Sequence, residues 1–355
     1  MQIDKKNKIL ISPLDWGLGH ASRIIPIINI LQKKQNEIII AANGNTKNFL
    51  QTYFPDLKFI DIPDYKITYS QKKIILKLIL QIPKIIITIH REHKALKKII
   101  KIEKINYVIS DNRYGLWNKK IKSIFITHQI NIKLPKSLKI FEKLLYKINK
   151  KLIEQFDYCL IPDEPNSAFT GELTNKHVLP DNARFIGLLS RFLDTKNTQP
   201  TKNKKYDIFV ILSGAEPQKT EFLNLIINKF INTDFKVLII SGTINKKQRK
   251  INNISIMHHL NDTEFVNAVK NTPYIISRAG YTTIMDLTVL QKSAILIPTP
   301  GQTEQEYLAQ NNTDFNFITQ KDFINLKIKE LSYIKINRYK NNLLEKVFSD
   351  ILSCL

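Results

Sequence analysis

Cysteine is almost missing from this 355-residue sequence: Cys159 lies in an apolar run and Cys354 beside the C-terminus. Two residues so far apart suggest neither a disulfide framework nor a metal cluster. A reducing cytoplasm is the compartment that such usage fits. Long hydrophobic runs are missing as well. The most apolar window, Ile74 to Ile89, contains Lys77, Pro83 and Lys84, and is shorter than the roughly 20 apolar residues of a membrane-spanning helix. The first residues lead into a short strand pattern at Ile9 to Ile11, not into a long apolar region, so no secretion signal is expected there. No short repeat is visible, which sets aside solenoids and propellers. No His/Cys/Asp grouping has metal-ligand spacing, so no metal or other cofactor is expected.

Acidic residues are also scarce. There are 31 Asp plus Glu against 54 Lys plus Arg, a formal net charge of +23. Residues 1 to 160 hold 30 basic and 12 acidic side chains, a net of +18, which leaves +5 for the remainder. A basic N-terminal half favours an anionic partner there: a membrane surface, a phosphorylated substrate or nucleic acid. What is abundant is apolar material, 43% of the residues, in a chain long enough for two cores, because single cores rarely grow past roughly 250 to 300 residues.

The apolar residues come in short β-branched runs separated by helix-length amphipathic segments. Lys8 to Ser12, Glu37 to Ala41, Leu57 to Ile60, Tyr107 to Ser110 and Ser123 to Thr127 form a first series. Tyr206 to Leu212, Phe235 to Ser241, Asn253 to Met257, Tyr274 to Ser277 and Ala294 to Pro298 form a second. Continuous apolar runs of this length predict strands buried on both faces, and therefore parallel sheets covered by helices. The polar stretch 194–205 reads as an exposed linker. The expected organisation is a basic α/β domain over 1–193, a linker over 194–205, a second α/β domain over 206–335 and a C-terminal helix within 336–355.

Ligands of open parallel sheets bind beyond the carboxyl ends of the strands, so the residues that follow each strand carry the functional reading. The first strand runs into Asp15-Trp16-Gly17-Leu18-Gly19-His20-Ala21-Ser22-Arg23 and then a helical pattern. Gly17 and Gly19 allow a tight turn and close approach to a ligand, and a helix N-terminus favours negative charge. In the second half, Ser277-Arg278-Ala279-Gly280 again lies between strand and helix, with Asp286 about two turns on. Its backbone N–H groups suit a phosphate, and Asp286 suits a ribose diol. The next strand leads into Gly301-Gln302-Thr303-Glu304-Gln305-Glu306, whose carboxamides and carboxylates suit sugar hydroxyls. A capped surface helix accounts for Glu304 and Glu306 but not for the whole cluster.

In these motifs the sequence resembles the GT-B glycosyltransferases, and among them the lipid-linked N-acetylglucosaminyltransferases of peptidoglycan synthesis, of family 28 type, and their uncharacterised bacterial relatives. The resemblance implies two Rossmann-like domains facing each other across a cleft. Ser277, Arg278, Ala279, Gly280 and Asp286 match the family's donor turn and its acidic ribose-binding residue, usually Glu. Gln305 and Glu306 fall where the family has a Gln-Gln pair reading the donor sugar. Gly17, Gly19 and His20 match its N-terminal glycine turn with a His at the cleft. Gly187 to Arg191 keeps the spacing of an element whose Arg meets the diphosphate, though its Asn-Pro is missing. Leu212-Ser213-Gly214-Ala215-Glu216 occupies a turn where the family binds phosphate with Gly and Ser. The resemblance also points to Leu260, whose backbone would face the base, while Asn261 or Asp262 is equally an ordinary helix cap.

The implied reaction moves a hexose such as N-acetylglucosamine from a UDP-sugar to a cell-envelope, lipid-linked or polysaccharide acceptor. His20 is the candidate general base, since an imidazole titrates near neutral pH. Asp111, in Ser110-Asp111-Asn112-Arg113, is a candidate to orient His20 or to hold the acceptor. Arg191, Ser213 and the 277–280 turn would balance diphosphate charge. A nucleotide-sugar hydrolase or epimerase, and a non-enzymatic protein that binds membrane or nucleic acid, are the alternatives.

Two basic segments bear on the partner. Lys94, Lys97, Lys98 and Lys101 form one helical stripe near Ile99, Ile100 and Ile102, and Lys139, Lys143, Lys147, Lys150 and Lys151 accompany Ile140, Leu144, Leu145 and Ile148. Such helices suit an anionic bilayer, or else are the solvated faces of an ordinary domain. The expected location is cytoplasmic, peripheral on the inner face of the membrane. His90 and His93 read as surface histidines. Tyr65, Tyr69 and the Tyr114 to Trp117 loop suit an acceptor cleft or packing better than nucleic-acid stacking.

Overall fold

A computed structural model of the protein describes residues 7–65, 74–193, 205–214, 216–242, 248–327, 336 and 343–353. Nearly all of the expected linker, together with Tyr69, Ala215 and Cys354, lies outside the described residues. The chain divides into two compact units: Met1–Asp15, His20–Leu189 and Asn341–Leu355 form the first, Trp16–Gly19 and Ser190–Lys340 the second.

The first unit carries seven parallel strands: β1 (Lys8–Pro13), β2 (Glu37–Ala41), β3 (Lys58–Ile60), β4 (Tyr107–Asp111), β5 (Lys122–Ile126), β6 (Tyr158–Ile161) and β7 (Ala183–Phe185), in the order β3-β2-β1-β4-β5-β6-β7. Helices α1 (Leu18–Lys33), α2 (Gly44–Tyr53), α3 (Ile74–Glu103), α4 (Glu142–Ile153) and α5 (Glu172–Asn175) connect them, and a 3₁₀ turn over Lys136–Phe141 precedes α4. Ile9, Leu10 and Ile11 of β1 and all of β4 are buried. That is why these strands are continuously apolar: each faces helices on both sides. The apolar window at Ile74 belongs to the 30-residue α3. No helix among the described residues is long and apolar enough to cross a membrane.

The second unit has β8 (Ile208–Ile211), β9 (Val237–Ile240), β10 (Arg249–Ile251), β11 (Ile254–Met257), β12 (Tyr274–Ser277), β13 (Ile295–Leu296) and β14 (Asn316–Phe317), ordered β10-β11-β9-β8-β12-β13-β14. Only β10 is antiparallel, paired with β11. Its helices are α6 (Gln218–Phe230), α7 (Asp262–Asn271), α8 (Tyr281–Val289), α9 (Thr303–Asn311) and α10 (Gln320–Phe323), while α11 (Leu343–Ser353) belongs to the first unit. Ile208, Val210, Phe222, Ile226, Val237, Ile239, Ile254 and Ile276 form the core between sheet and helices.

Ten strands fall where the apolar runs predict them. The four others carry weak local signals: β7 and β10 are three residues long and largely polar or exposed, β14 has two residues, and β6 is a four-residue run. Pairing with a neighbouring strand, rather than apolar content, defines them.

Both sheets reverse their winding beside the first strand of the unit. β1 lies between β2 and β4, and β8 lies between β9 and β12. The crevice at the carboxyl end of such a switch point is where doubly wound sheets bind ligands. The switch point of the first unit carries Leu14 and Asp111, whose backbones are joined by Leu14 N–H donating to the Asp111 carbonyl at 3.1 Å. That of the second carries 212–214 and 278–281.

Candidate functional site

In the first unit, His20 and Asp111 come together from 91 residues apart: His20 Nδ1 lies 3.0 Å from Asp111 Oδ2. His20 sits in the first turn of α1 and Asp111 ends β4. Between them lies Arg23, a residue that the motif reading passes over. Its Nε donates to Asp111 Oδ2 at 2.8 Å, and its Nη2 donates to Asp111 Oδ1. Arg23 is 1% and Asp111 0% exposed. Burial pushes the Asp111 carboxyl up, but the Arg23 guanidinium, and then His20, more than offset this and hold it well below the usual carboxylate range. His128, two residues past β5, completes the cluster, with its Nδ1 3.1 Å from Arg23 Nη1. A sequence signal for Arg23 exists: three residues after His20, it shares a helical face with it. None exists for His128.

Other residues of this unit are spent on packing. Tyr65 Oη donates to Glu92 Oε2 at 2.7 Å, and Arg113 Nε lies 2.9 Å from Glu92 Oε1. Tyr114 donates to Asn149 Oδ1 at 2.8 Å and packs its ring on Phe125. His93 is not a plain surface histidine: it is half-buried, with its ring 4.7 Å from that of Trp117.

In the second unit, the Ser190-Arg191 segment meets α8. Ser190 Oγ donates to Asp286 Oδ1 at 2.6 Å, and Arg191 Nε lies 3.2 Å from Asp262 Oδ1. The Arg191 guanidinium packs on Phe192 and Phe265, at 4.7 and 5.3 Å from their ring centres. Asp286 is buried, which pushes its carboxyl up to about 7, although Arg191 and the Ser190 hydroxyl pull the other way. The cluster thus joins two carboxyls, a hydroxyl and a guanidinium from α8, the start of α7 and the Ser190-Arg191 segment.

The neighbouring turns are built mainly of backbone. Ser277, Arg278 and Ala279 are fully or almost fully buried. Ser277 Oγ donates to the Ile211 carbonyl at 3.3 Å. Arg278 turns inward: its guanidinium lies 3.9 Å over the Phe222 ring, and Nη1 donates to the Ile297 and Pro298 carbonyls at 3.2 and 3.0 Å. Burial lowers its basicity to about 10. This side chain therefore braces the end of β13 instead of reaching for a diphosphate. Gly280 has φ −76°, an ordinary helical N-cap with room for a Cβ. By contrast, Gly17 at φ +103° and Gly214 at φ +101° need the left-handed freedom of glycine. Ser213 is half-buried next to Gly214.

Gln305 Oε1 accepts from Thr299 N–H at 2.9 Å and Glu306 Oε1 from Gly301 N–H at 3.0 Å, so each ties the 299–301 loop to the start of α9. Leu260 is buried just before Asn261, which forms a full capping box with Glu264 at the start of α7. The helix-cap reading of Asn261 therefore holds. Among the described residues no group of three or more His, Cys, Asp or Glu is placed to hold a metal.

Two Rossmann-like units, one sheet parallel and the other parallel except for β10, define a GT-B glycosyltransferase fold. Solved glycosyltransferases share it: the glycotransferase of kitacinnamycin has a TM-score of 0.60 at 12% identity, covering 89% of this chain and 87% of that one. MurG of Acinetobacter baumannii has a TM-score of 0.54 at 10% identity, covering 99% and 100%. Within that class, residues 208–332 match the glycosyltransferase family 28 C-terminal domain, and the chain is similar to two curated UDP-N-acetylglucosamine–N-acetylmuramyl-(pentapeptide) pyrophosphoryl-undecaprenol N-acetylglucosamine transferases. That of Buchnera aphidicola subsp. Schizaphis graminum is 28% identical over 250 residues, 66% of this chain and 62% of that protein. That of Clostridioides difficile is 22% identical over 326 residues, 87% of this chain and 73% of that protein. The match to the Buchnera protein spans less than two thirds of its length.

Proposed function

We propose that the protein transfers a hexose, N-acetylglucosamine or a close relative, from a UDP-sugar to a hydroxyl of a lipid-linked or other cell-envelope acceptor. The observation that carries the donor half of this reading is the Ser190–Asp286 and Arg191–Asp262 cluster, whose two carboxyls, Asp262 and Asp286, lie in the stretch that matches the family 28 domain. A carboxyl accepts from ribose hydroxyls, and a guanidinium beside it suits a diphosphate. The relatives' names, which specify UDP-N-acetylglucosamine and an undecaprenol acceptor, support the same substrate classes. On the acceptor side, His20 takes the hydroxyl proton as the sugar is transferred, oriented by Asp111. The 277–280 turn and Ser213 stabilise the charge that develops on the departing nucleoside diphosphate.

The acceptor half is supported by the exposed face around α4. Ile140, Phe141, Leu144 and Ile148 are all exposed, Ile140 by 79%, and Lys136, Lys139, Lys143, Lys147 and Lys151 stand exposed among them. A solvated helix of an ordinary domain hides its apolar ridge; this one shows it. Such a face supports docking on an anionic bilayer, with each basic residue near the surface contributing about 1 kcal/mol. The lysine stripe of α3 differs, since Ile99 beside it is buried.

Thermal-shift measurements with UDP, UDP-N-acetylglucosamine, UDP-glucose and GDP- or CMP-sugars test the donor assignment, because a ligand that binds only the native state raises its stability. Selective stabilisation by a UDP-sugar is the expected result. His20→Ala is expected to lower turnover about 100-fold or more with donor affinity spared. Unchanged transfer by that variant removes His20 as the base, and free sugar released without acceptor replaces transfer with hydrolysis.

A further inference from the structure

We propose that Gln305 and Glu306 form a two-pronged reader of the donor sugar in which Glu306 sets the specificity: the sugar position that meets it must carry an O–H or N–H, so the donor is a hexose or aminohexose left unblocked on that face. This role of Glu306 presupposes the donor reading of the second unit and adds to it the chemical class of the sugar.

The loop that follows β13 is held at both ends. At its start, Ile297 N–H donates to the Ser277 carbonyl at 2.8 Å, and the Arg278 guanidinium donates to the Ile297 and Pro298 carbonyls at 3.2 and 3.0 Å. These bonds set the loop against the 277–280 turn, which the donor reading gives to the diphosphate, and the sugar is bonded to that diphosphate. Further on, Gln305 Oε1 accepts from Thr299 N–H at 2.9 Å and Glu306 Oε1 from Gly301 N–H at 3.0 Å. Successive residues of a helix point in different directions, yet both of these side chains fold back on the same three-residue loop. They are held there by bonds that need no ligand, as a pre-organised site requires.

The anchors decide which end of each side chain is left over. A backbone N–H only donates, so the atom of Gln305 that meets Thr299 is its carbonyl oxygen, and the amide Nε2 with its two N–H donors is the free end. For Glu306 the free end is Oε2, and a carboxylate oxygen only accepts. Both residues are half-buried, and neither makes a further hydrogen bond or ion pair among the described residues. One prong therefore donates and the other accepts. A hydroxyl satisfies either. An ether oxygen, a fluorine or a carboxylate offers Glu306 only lone pairs, and a carboxylate adds repulsion between like charges. Sugars alkylated at that position, or carrying a uronic acid there, are disfavoured.

The test is calorimetric titration of the full chain with UDP, UDP-glucose and the four UDP-glucose analogues in which fluorine replaces the hydroxyl at C2, C3, C4 or C6. Fluorine cannot donate, so at one of the four positions the native protein is expected to lose about tenfold or more in affinity. Glu306→Gln keeps the acceptor for Gly301 N–H and turns an N–H towards the sugar. In this variant the penalty at that same position is expected to fall below about threefold, with UDP itself bound as by the native protein. Equal affinity of the native protein for all four analogues overturns the proposal, as does a penalty equally large in Glu306→Gln. Should Glu306→Gln fail to fold, the native series alone decides. A failure of UDP to bind would sink the donor reading and this role of Glu306 with it, whereas UDP binding without discrimination among the analogues removes the role of Glu306 alone.

Discussion

Ser190 and Asp286, 96 residues apart, meet through a 2.6 Å hydrogen bond in which the hydroxyl donates to a carboxyl that burial has pushed up to about 7. Burial makes the charged form of this carboxyl costly, while the Ser190 hydroxyl and the Arg191 guanidinium pull the other way.

That relationship makes stability depend on pH with a definite sign. A carboxyl whose folded-state pKa is raised contributes stability that is fully present below its ordinary pKa of about 4 and is lost as pH rises through about 7. Without ligand, the native protein is expected to lose melting temperature between pH 5 and pH 8, and Asp286→Asn, which retains an acceptor for Ser190, to lose less. Calorimetry at the two pH values reads this. UDP-sugar affinity of Asp286→Asn is expected to fall about tenfold.

Asp111 carries the opposite sign. Its carboxyl is held low by Arg23 and His20, so its stabilisation is present above about pH 4 and is lost only in more acid solution. Asp111→Ala leaves the buried Arg23 guanidinium without its counter-charge, and a loss of about 3 to 5 kcal/mol in urea unfolding is expected. A loss below 1 kcal/mol would mean that the pair contributes little to the fold.

Gly115 tests the Glu92 and Arg113 packing. A Cβ at this position would lie 2.3 Å from the Ile89 carbonyl oxygen and 2.6 Å from Glu92 Cβ. Backbone cannot give way cheaply, so Gly115→Ala is expected to cost about 1 to 3 kcal/mol. Denaturant midpoints of the two proteins decide it.

The face around α4 is tested by vesicle flotation. Binding to vesicles rich in anionic lipid is expected to exceed binding to neutral ones and to weaken as salt rises. The double variant Ile140→Asp, Leu144→Asp is expected to abolish flotation while the melting temperature stays within a few degrees of the native value, because both side chains are already exposed. Equal flotation with neutral and anionic vesicles would remove the electrostatic part of the docking.

Much of the architecture was legible in the sequence. Glu37–Ala41 and Tyr274–Ser277 coincide with strands residue for residue. The reason is that a strand covered on both faces must be apolar throughout, whatever it packs against. The glycines at 17 and 214 were legible for a similar reason: a left-handed backbone demands them locally. His20, Asp111 and Asp286 could be singled out as candidates from their place at or after the strand-to-helix turns, whereas Arg191 was singled out only through the family resemblance.

What each polar side chain touches was decided only by the tertiary structure. Arg278 reads as a diphosphate ligand along the chain, yet in the fold Phe222 and the carbonyls of Ile297 and Pro298 surround it. Arg23 reads as one more charge in a helix, yet in the fold it joins Asp111, His20 and His128. Apolar patterning is a local property that solvent exclusion enforces residue by residue. Hydrogen-bond and charge partnership is a property of pairs, and apart from His20, three positions from Arg23, the partners lie 19 to 105 positions away, where only the crossing of strands and helices brings them together.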